Sequence, residues 1–396
     1  MDKVRLGIIG VGTMGSGHCG YMDSVEGATL AAVCDTNPET LAKISARHNV
    51  PGFKTHQELL ASGTVDAVII AVPHYDHMPI AADAFARNIH VMCEKPIAVS
   101  VKAARQGNDA YAAALRKNPD LKYGIMFQQR TNPMFRKLRE VITDGELGEI
   151  SRITWIVTNW FRTWTYYASG GWRATWKGEG GGTIINQCPH NLDMIQWAVG
   201  GLMPSRVTAV GFVGKTHPIE VEDEISAILE YPNGAIGHFI ASTGEAPGTN
   251  RLEICGDRGK IVAEDGKIRF WRTRKSVQEA NRTSPEMFAW VENWAIEIPY
   301  SGPGESHKAV TERFIKTILT NGKNSDLIAE GTEGIHGLSI GNAILMAGLT
   351  RKAVDLPVNG DAYDQFILDM AKKYGGRKTL ETKAVESNLA DSFQKI

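Results

Sequence analysis

The stretch from Val4 to Asp35 restricts the fold more than any other part of the chain. Val4 to Ile9 is a short apolar run that reads as a strand. It leads directly into Gly10, Gly12 and Gly15, spaced as G-x-G-x-x-G, after which a helix carrying His18 and Cys19 is expected. A second apolar run, LAAVC, then ends on Asp35. Strand, glycine turn, helix, strand and terminal acid together form the fingerprint of a dinucleotide-binding βαβ unit. The glycines let backbone N–H groups come close to a pyrophosphate, and the helix N-terminus favours an anion through its unpaired N–H groups and its dipole. The carboxylate suits the adenine ribose hydroxyls. Thr36 and Asn37 follow without an Arg to pair a 2′-phosphate, so NAD is expected rather than NADP.

The alternation continues. Helices are expected at about 38–48 and 57–60, a strand in VDAVIIAV, a helix at about 77–87, a strand in HVMCEKP, a helix at about 101–117 and a strand in YGIMFQQR. Such βα repetition predicts an α/β Rossmann domain, a doubly wound parallel sheet, over residues 1–128. Ligands of that architecture sit beyond the carboxyl ends of the strands, where AVPHYDH and CEKP fall. Lys95, set between a buried strand and Pro96, is expected near the nicotinamide, with burial or a cationic neighbour lowering its pKa.

From Ser151 the texture changes to strands without intervening helices, at about 151–159, 207–213, 225–231, 235–242, 251–256, 260–264 and 267–272. Asn233-Gly234, GDRG and EDG mark turns between them. An α+β domain with a large, mostly antiparallel open sheet is therefore expected over 129–360, closed by helices at about 306–319 and 334–354. Residues 361–396 are expected to be peripheral. A formal net charge of -1 offers no electrostatic footprint for nucleic acid or an anionic membrane. The five scattered cysteines form no CxxC pair, so free thiols, a reducing compartment and no metal site are expected. Without a signal-peptide core or an apolar run long enough to span a bilayer, the expectation is a cytoplasmic protein whose partners are small molecules or copies of itself.

The chemistry is expected in EGGGTIINQCPHNLDMIQW, Glu179 to Trp197. At helical spacing, Ile184, Cys188, Leu192 and Ile195 share one face while Asn186, His190, Asp193 and Trp197 share the opposite one. A surface helix would carry Lys and Glu there; an amide, an imidazole and a carboxylate suit a polar ligand instead. Pro189 inside that helix predicts a kink beside His190. Upstream, Asn159 to Gly182 gathers Trp160, Phe161, Trp164, Tyr166, Tyr167, Trp172 and Trp176 around Arg162, Arg173 and Lys177. That mixture suits the wall of a pocket for a polar ring, or else an interface between copies.

With these motifs in order, the chain resembles the glucose-fructose oxidoreductase / inositol dehydrogenase (Gfo/Idh/MocA) family over nearly its whole length. The matching residues are GIIGVGTMG at 7–15, Asp35, Pro73 to His77, Glu94-Lys95-Pro96, Arg130, Trp172-Arg173, and GGGTIINQCPH with His190 and Asp193. The resemblance implies hydride transfer from a carbinol carbon of a sugar or cyclitol, with Lys95 and His190 as the proton-handling pair. It also implies an open sheet that mediates oligomers, whether dimer or tetramer. Cofactor contacts are expected from Gly10, Gly12, Thr13, Met14, Gly15, Asp35, Pro73, His74, His77, Glu94 and Lys95. Substrate contacts are expected from Arg130, Trp160, Arg162, Trp172, Arg173, Asn186 and Asp193, the last orienting His190 or the substrate. One position departs from the family pattern: Asn186 stands where many members carry Asp. An amide binds a hydroxyl but takes no proton, which moves the base role onto His190 or Lys95.

The expected activity is therefore NAD-dependent oxidation of a ring secondary alcohol in a sugar, glycoside or inositol. A redox-assisted glycosidase that returns its hydride and retains NAD is the alternative from a different reaction class. A non-catalytic NAD-dependent binding protein is a third reading, against which Lys95 and His190 both stand.

Overall fold

The computed structural model describes residues 2–382. Its first half runs β1 (Val4–Ile9), α1 (Thr13–Tyr21), β2 (Ala28–Cys34), α2 (Pro38–His48), β3 (Gly52–Phe53), α3 (His56–Ala61), β4 (Ala67–Ile70), α4 (His77–Phe85), β5 (His90–Cys93), α5 (Val101–Leu115) and β6 (Tyr123–Ile125). The six strands make one parallel sheet in the order β3-β2-β1-β4-β5-β6. Helices cover both faces, so β4 is buried at every position and reads as an unbroken apolar run. Local chemistry sets the helix starts. Asn37 caps α2 through the N–H groups of Glu39 and Thr40, with Pro38 at the first position, and Ser100 caps α5.

The second half runs α6 (Pro133–Thr143), β7 (Ile150–Val157), α7 (Trp164–Ala168), a π-helical turn (Thr183–Gln187) and α8 (Pro189–Trp197). Then come β8 (Arg206–Val213), β9 (Glu222–Glu230), β10 (Ile236–Ser242), β11 (Asn250–Gly256), β12 (Gly259–Glu264), β13 (Lys267–Thr273), α9 (Val277–Thr283), β14 (Asn293–Ile298), α10 (His307–Leu319), α11 (Gly334–Thr350), β15 (Val354–Asp355) and α12 (Gly360–Tyr374). Nine strands form a second sheet in the order β14-β13-β12-β11-β7-β10-β9-β8-β15, antiparallel apart from the β7–β10 pair. Its strands alternate: Val207 and Ala209 or Ile225, Ala227 and Leu229 point into the core under α11, whereas Val210, Phe212, Ile228 and Ile236 lie exposed on the outer face.

Three expectations require correction. Residues 183–197 are two elements rather than one kinked helix: the π turn ends at Cys188 and Pro189 opens α8 at its first position, where proline lacks nothing the helix needs. The segment from 361 is not peripheral: α12 buries Tyr363, Phe366, Ile367 and Met370 in the main core, with Phe366 against Trp176. Residues 383–396 of that segment lie outside the described residues. The division at 128/129 is not a clean one either, because Val310, Phe314 and Ile315 of α10 pack with Val4, Leu6 and Ile8 of β1. The edge strands β14 and β15 were not expected at all.

Candidate active site

The glycine turn has the geometry an anion site needs. A Cβ on Gly15 would lie 1.8 Å from the Gly10 carbonyl oxygen, so only glycine lets α1 start this close to β1. Around Gly12 the opposite holds: an added Cβ meets nothing within 4 Å, and Gly12 offers α1 no side-chain cap. No atom thus crowds Gly12 at the N-terminal N–H groups of α1, beside exposed Thr13 and half-exposed Met14, the end of a helix where an anion such as a pyrophosphate is favoured. Asp35 fixes the turn from the second strand, accepting from Val11 N–H at 2.9 Å and Asn37 N–H at 2.8 Å.

Other expected cofactor residues are committed to the protein itself. The His77 ring is buried between the Pro96 and Val72 carbonyls, at 2.7 and 2.9 Å, and braces the loops after β4 and β5. Next to Pro73, His74 donates its Nδ1–H to the Glu179 carbonyl, 3.0 Å away; since a carbonyl only accepts, Nδ1 carries the proton. The ring also lies edge-on to Trp172, tying the Rossmann half to the aromatic stretch. Glu94 is buried against His18 Nε2 at 2.8 Å. Burial alone would raise its carboxyl, but the His18 hydrogen bond and the charges of His18, His307 and Lys95 bring it down to about 2.

Beyond the ends of β5 and β6 the catalytic candidates converge. Lys95 Nζ donates to the backbone carbonyl of Asn186 at 3.1 Å. Burial lowers the Lys95 pKa, opposed by Glu94 and assisted by Arg173 and Arg162. His190 is buried too, and burial together with the charges of Lys95 and His307 keeps its pKa well below the ordinary 6.5. Its Nε2 meets the Gln128 side-chain amide at 2.9 Å, while Nδ1 has no partner among the described residues. A buried ring nitrogen without a partner is costly unless a ligand supplies one. The Asn186 side chain, in turn, donates through Nδ2 to Glu179 Oε1.

Asp193 does not orient His190. Arg130 holds it through two bonds of 2.7 Å, and a third bond, of 2.6 Å, joins Arg130 to Glu333. Both Arg130 and Asp193 are buried, so this ion pair locks α8 to the end of β6 and presents neither side chain to a ligand. From the other side α11 presses on α8, where a Cβ at Gly337 would lie 2.8 Å from Asp193 N. The aromatic stretch divides. Trp160, Tyr167 and Trp176 are buried, while Phe161 and Trp164 are exposed. Arg162 lies over the Trp160 and Tyr166 rings at 5.0 and 4.9 Å, and Arg173 over Tyr166 and Trp172 at 4.6 and 4.7 Å. Neither Arg is paired with a carboxylate among the described residues, so a polar wall remains available beside Lys95. Among those residues no group of three or more His, Cys, Asp or Glu is arranged to hold a metal, and no helix is long and apolar enough to cross a membrane.

Comparison with known proteins identifies both halves of the chain. Residues 4–118 match the NAD-binding Rossmann fold of an oxidoreductase family, and residues 135–262 match the Gfo/Idh/MocA C-terminal domain. The chain belongs to the Gfo/Idh/MocA family. It is 24% identical to levoglucosan dehydrogenase of Pseudarthrobacter phenanthrenivorans over 398 residues, covering 90% of this chain and 99% of that protein. Inositol 2-dehydrogenase of Rhizobium meliloti is 26% identical over 339 residues, covering 80% and 97%. In fold the chain is similar to the WlbA dehydrogenase from Bordetella pertussis, solved with NADH and UDP-GlcNAcA, at a TM-score of 0.74 and 24% identity over 90% of this chain and 100% of that one.

Two functional candidates of this Gfo/Idh/MocA chain escape a reading of the sequence. Gln128 stands next to the expected Arg130 but carries no signal beyond a polar residue at a strand end. Glu179 looks like a loop acid before GGG, and only the chain's return brings it against His74, 105 residues away in sequence.

Proposed function

We propose that this protein is an NAD-dependent dehydrogenase that moves a hydride between a ring secondary alcohol of a sugar, glycoside or inositol and nicotinamide. One observation carries the reading. A lowered-pKa lysine, a neutral buried histidine with an unpartnered ring nitrogen, and an amide held at one end converge beyond the strand ends, next to an open glycine turn. NAD bound at the α1 N-terminus supplies the hydride acceptor. His190 takes the hydroxyl proton at Nδ1 in the tautomer that carries its hydrogen on Nε2; the Gln128 amide, whose Nε2 faces the ring's Nε2 at 2.9 Å in the structure, reverses so that Oε1, otherwise without a partner among the described residues, accepts that hydrogen. The Lys95 ammonium, held on the Asn186 carbonyl, stabilises the oxygen as it becomes negative. Arg162, Arg173 and Trp172 supply the wall against which the other hydroxyls are positioned.

The test is to incubate the purified protein with NAD and a panel of anhydrosugars, inositols and chromogenic glycosides, following NADH absorbance and aglycone release together. NADH accumulating with at least one ring alcohol, without aglycone release, is the expected result. Aglycone release without NADH would replace the reading with redox-assisted glycoside cleavage, and silence in both channels would overturn it.

A further inference from the structure

We propose that Glu179 is a positioning residue of the hydride-transfer site, setting the orientation of the Asn186 amide and supplying the negative charge that position 186 itself lacks. The inference rests on the reading of Lys95 and His190 as the proton-handling pair.

Glu179 is 1% exposed, at the end of the aromatic stretch. Its backbone is tied on both sides, the N–H to the Thr175 carbonyl at 2.9 Å and the carbonyl to His74 Nδ1 at 3.0 Å. The carboxylate is placed as firmly. Oε2 accepts the Ala174 N–H at 2.6 Å, and Oε1 accepts from Asn186 Nδ2. Both oxygens thus face N–H groups that cannot take a proton in return, an arrangement that favours the ionised carboxylate. Burial raises the carboxyl above its ordinary value, and the charges of Arg173 and Lys378 work against that rise. Lys95 from the Rossmann half, Tyr167 from α7 and Glu222 from β9 also face it.

The orientation of Asn186 follows. An ionised Oε1 needs a donor, and Asn186 offers one only through Nδ2, so Oδ1 is the end left to accept a ligand hydroxyl. The backbone carbonyl of the same residue holds Lys95 Nζ at 3.1 Å. Asn186 is therefore tied to a carboxylate by its side chain and to the catalytic ammonium by its backbone. Loosening the first tie displaces the second. An Asp at 186 beside an intact Glu179 would instead bring two buried carboxylates into contact, and one of them would have to take up a proton.

The experiment compares Glu179→Gln, Asn186→Asp, and the exchange that combines both, with Lys95→Ala alongside. The steady-state kcat and KM are referred to protein counted by NAD titration. Each single change is expected to lower kcat by about tenfold or more with NAD affinity unchanged, because the tie acts on the reacting hydroxyl and on Lys95. The exchange restores one carboxylate and one amide with their polarity reversed, so most of the lost kcat is expected to return. A purely structural role would not produce that recovery. Wild-type kcat in Glu179→Gln, or an exchange as slow as the two losses multiplied, would overturn the proposal. Should Glu179→Gln fail to fold, the comparison of Asn186→Asp with the exchange decides on the same criterion. Inactive Lys95→Ala beside normal Glu179→Gln would overturn this proposal alone, whereas normal turnover in Lys95→Ala would overturn the reading of the site and this proposal with it.

Discussion

His190 can act as a base at neutral pH only if it stays neutral there, and its surroundings enforce this. Burial first, then the charges of Lys95 and His307, hold its pKa well below 6.5, while burial lowers Lys95 from its ordinary 10.5. For a proton acceptor the sign is direct: the base form persists down through pH 6.5 and is lost only where the depressed pKa is reached. The profile of kcat/KM against pH is therefore expected to show an acid limb well below pH 6.5 and a basic limb below pH 10.5. An acid limb centred at 6.5 would mean that an unperturbed imidazole does the work. Residue by residue, the sequence marks candidates where identity alone singles them out, as with Lys95 before a proline and His190 opposite an apolar stripe, and the structure buries His190 and half-buries Lys95. It did not reveal partners. Asp193 reads as a ligand group in a helical pattern, yet Arg130 arrives from a different element and takes both of its oxygens.

Among the elements, the π-helical turn that carries Asn186 depends on one buried carboxylate. Glu222 of β9 accepts the N–H groups of Gly182 and Ile184 at 2.8 and 2.9 Å. Its burial pushes its pKa up to about 8. The folded state thus holds a proton between the ordinary 4.5 and about 8 that the unfolded chain has released, so this group's stabilisation is present in acid and fades as pH rises through that window. Glu222→Ala would leave two buried N–H groups unpaired, at about 1–3 kcal/mol for each. Glu222→Gln keeps one acceptor and no charge, and is expected to cost less than the Ala variant. Urea unfolding at pH 7 measures the difference, and equal midpoints for the two variants would show that the N–H groups find other partners. The turn itself could not be read beforehand, because a run of five residues gives no basis for separating a π turn from a helix of ordinary period. The glycine turn was legible because its signal is local. β14 was not: it is an edge strand with Trp294 and Ile296 exposed, so it shows none of the inward-outward alternation seen in β8.

At the scale of the whole molecule, the site exists because two sheets are joined in more places than the chain order suggests. α10 returns from the second half to pack on β1, α12 packs with α5, and His74 and Tyr75 reach across to Glu179 and Trp176. The parallel-then-antiparallel order was readable from the change in periodicity, whereas these returns depend on contacts distant in sequence. They bring the glycine turn, Lys95 and His190 to one place, where a hydride is expected to pass from a ring carbon to nicotinamide. Mass spectrometry of the dinucleotide formed from a ring alcohol deuterated at its carbinol carbons tests this most directly. One deuterium is expected in the reduced nicotinamide, formed about a hundredfold more slowly by His190→Ala and Lys95→Ala although NAD still binds. Unlabelled product, or full-rate labelling by both variants, would contradict it.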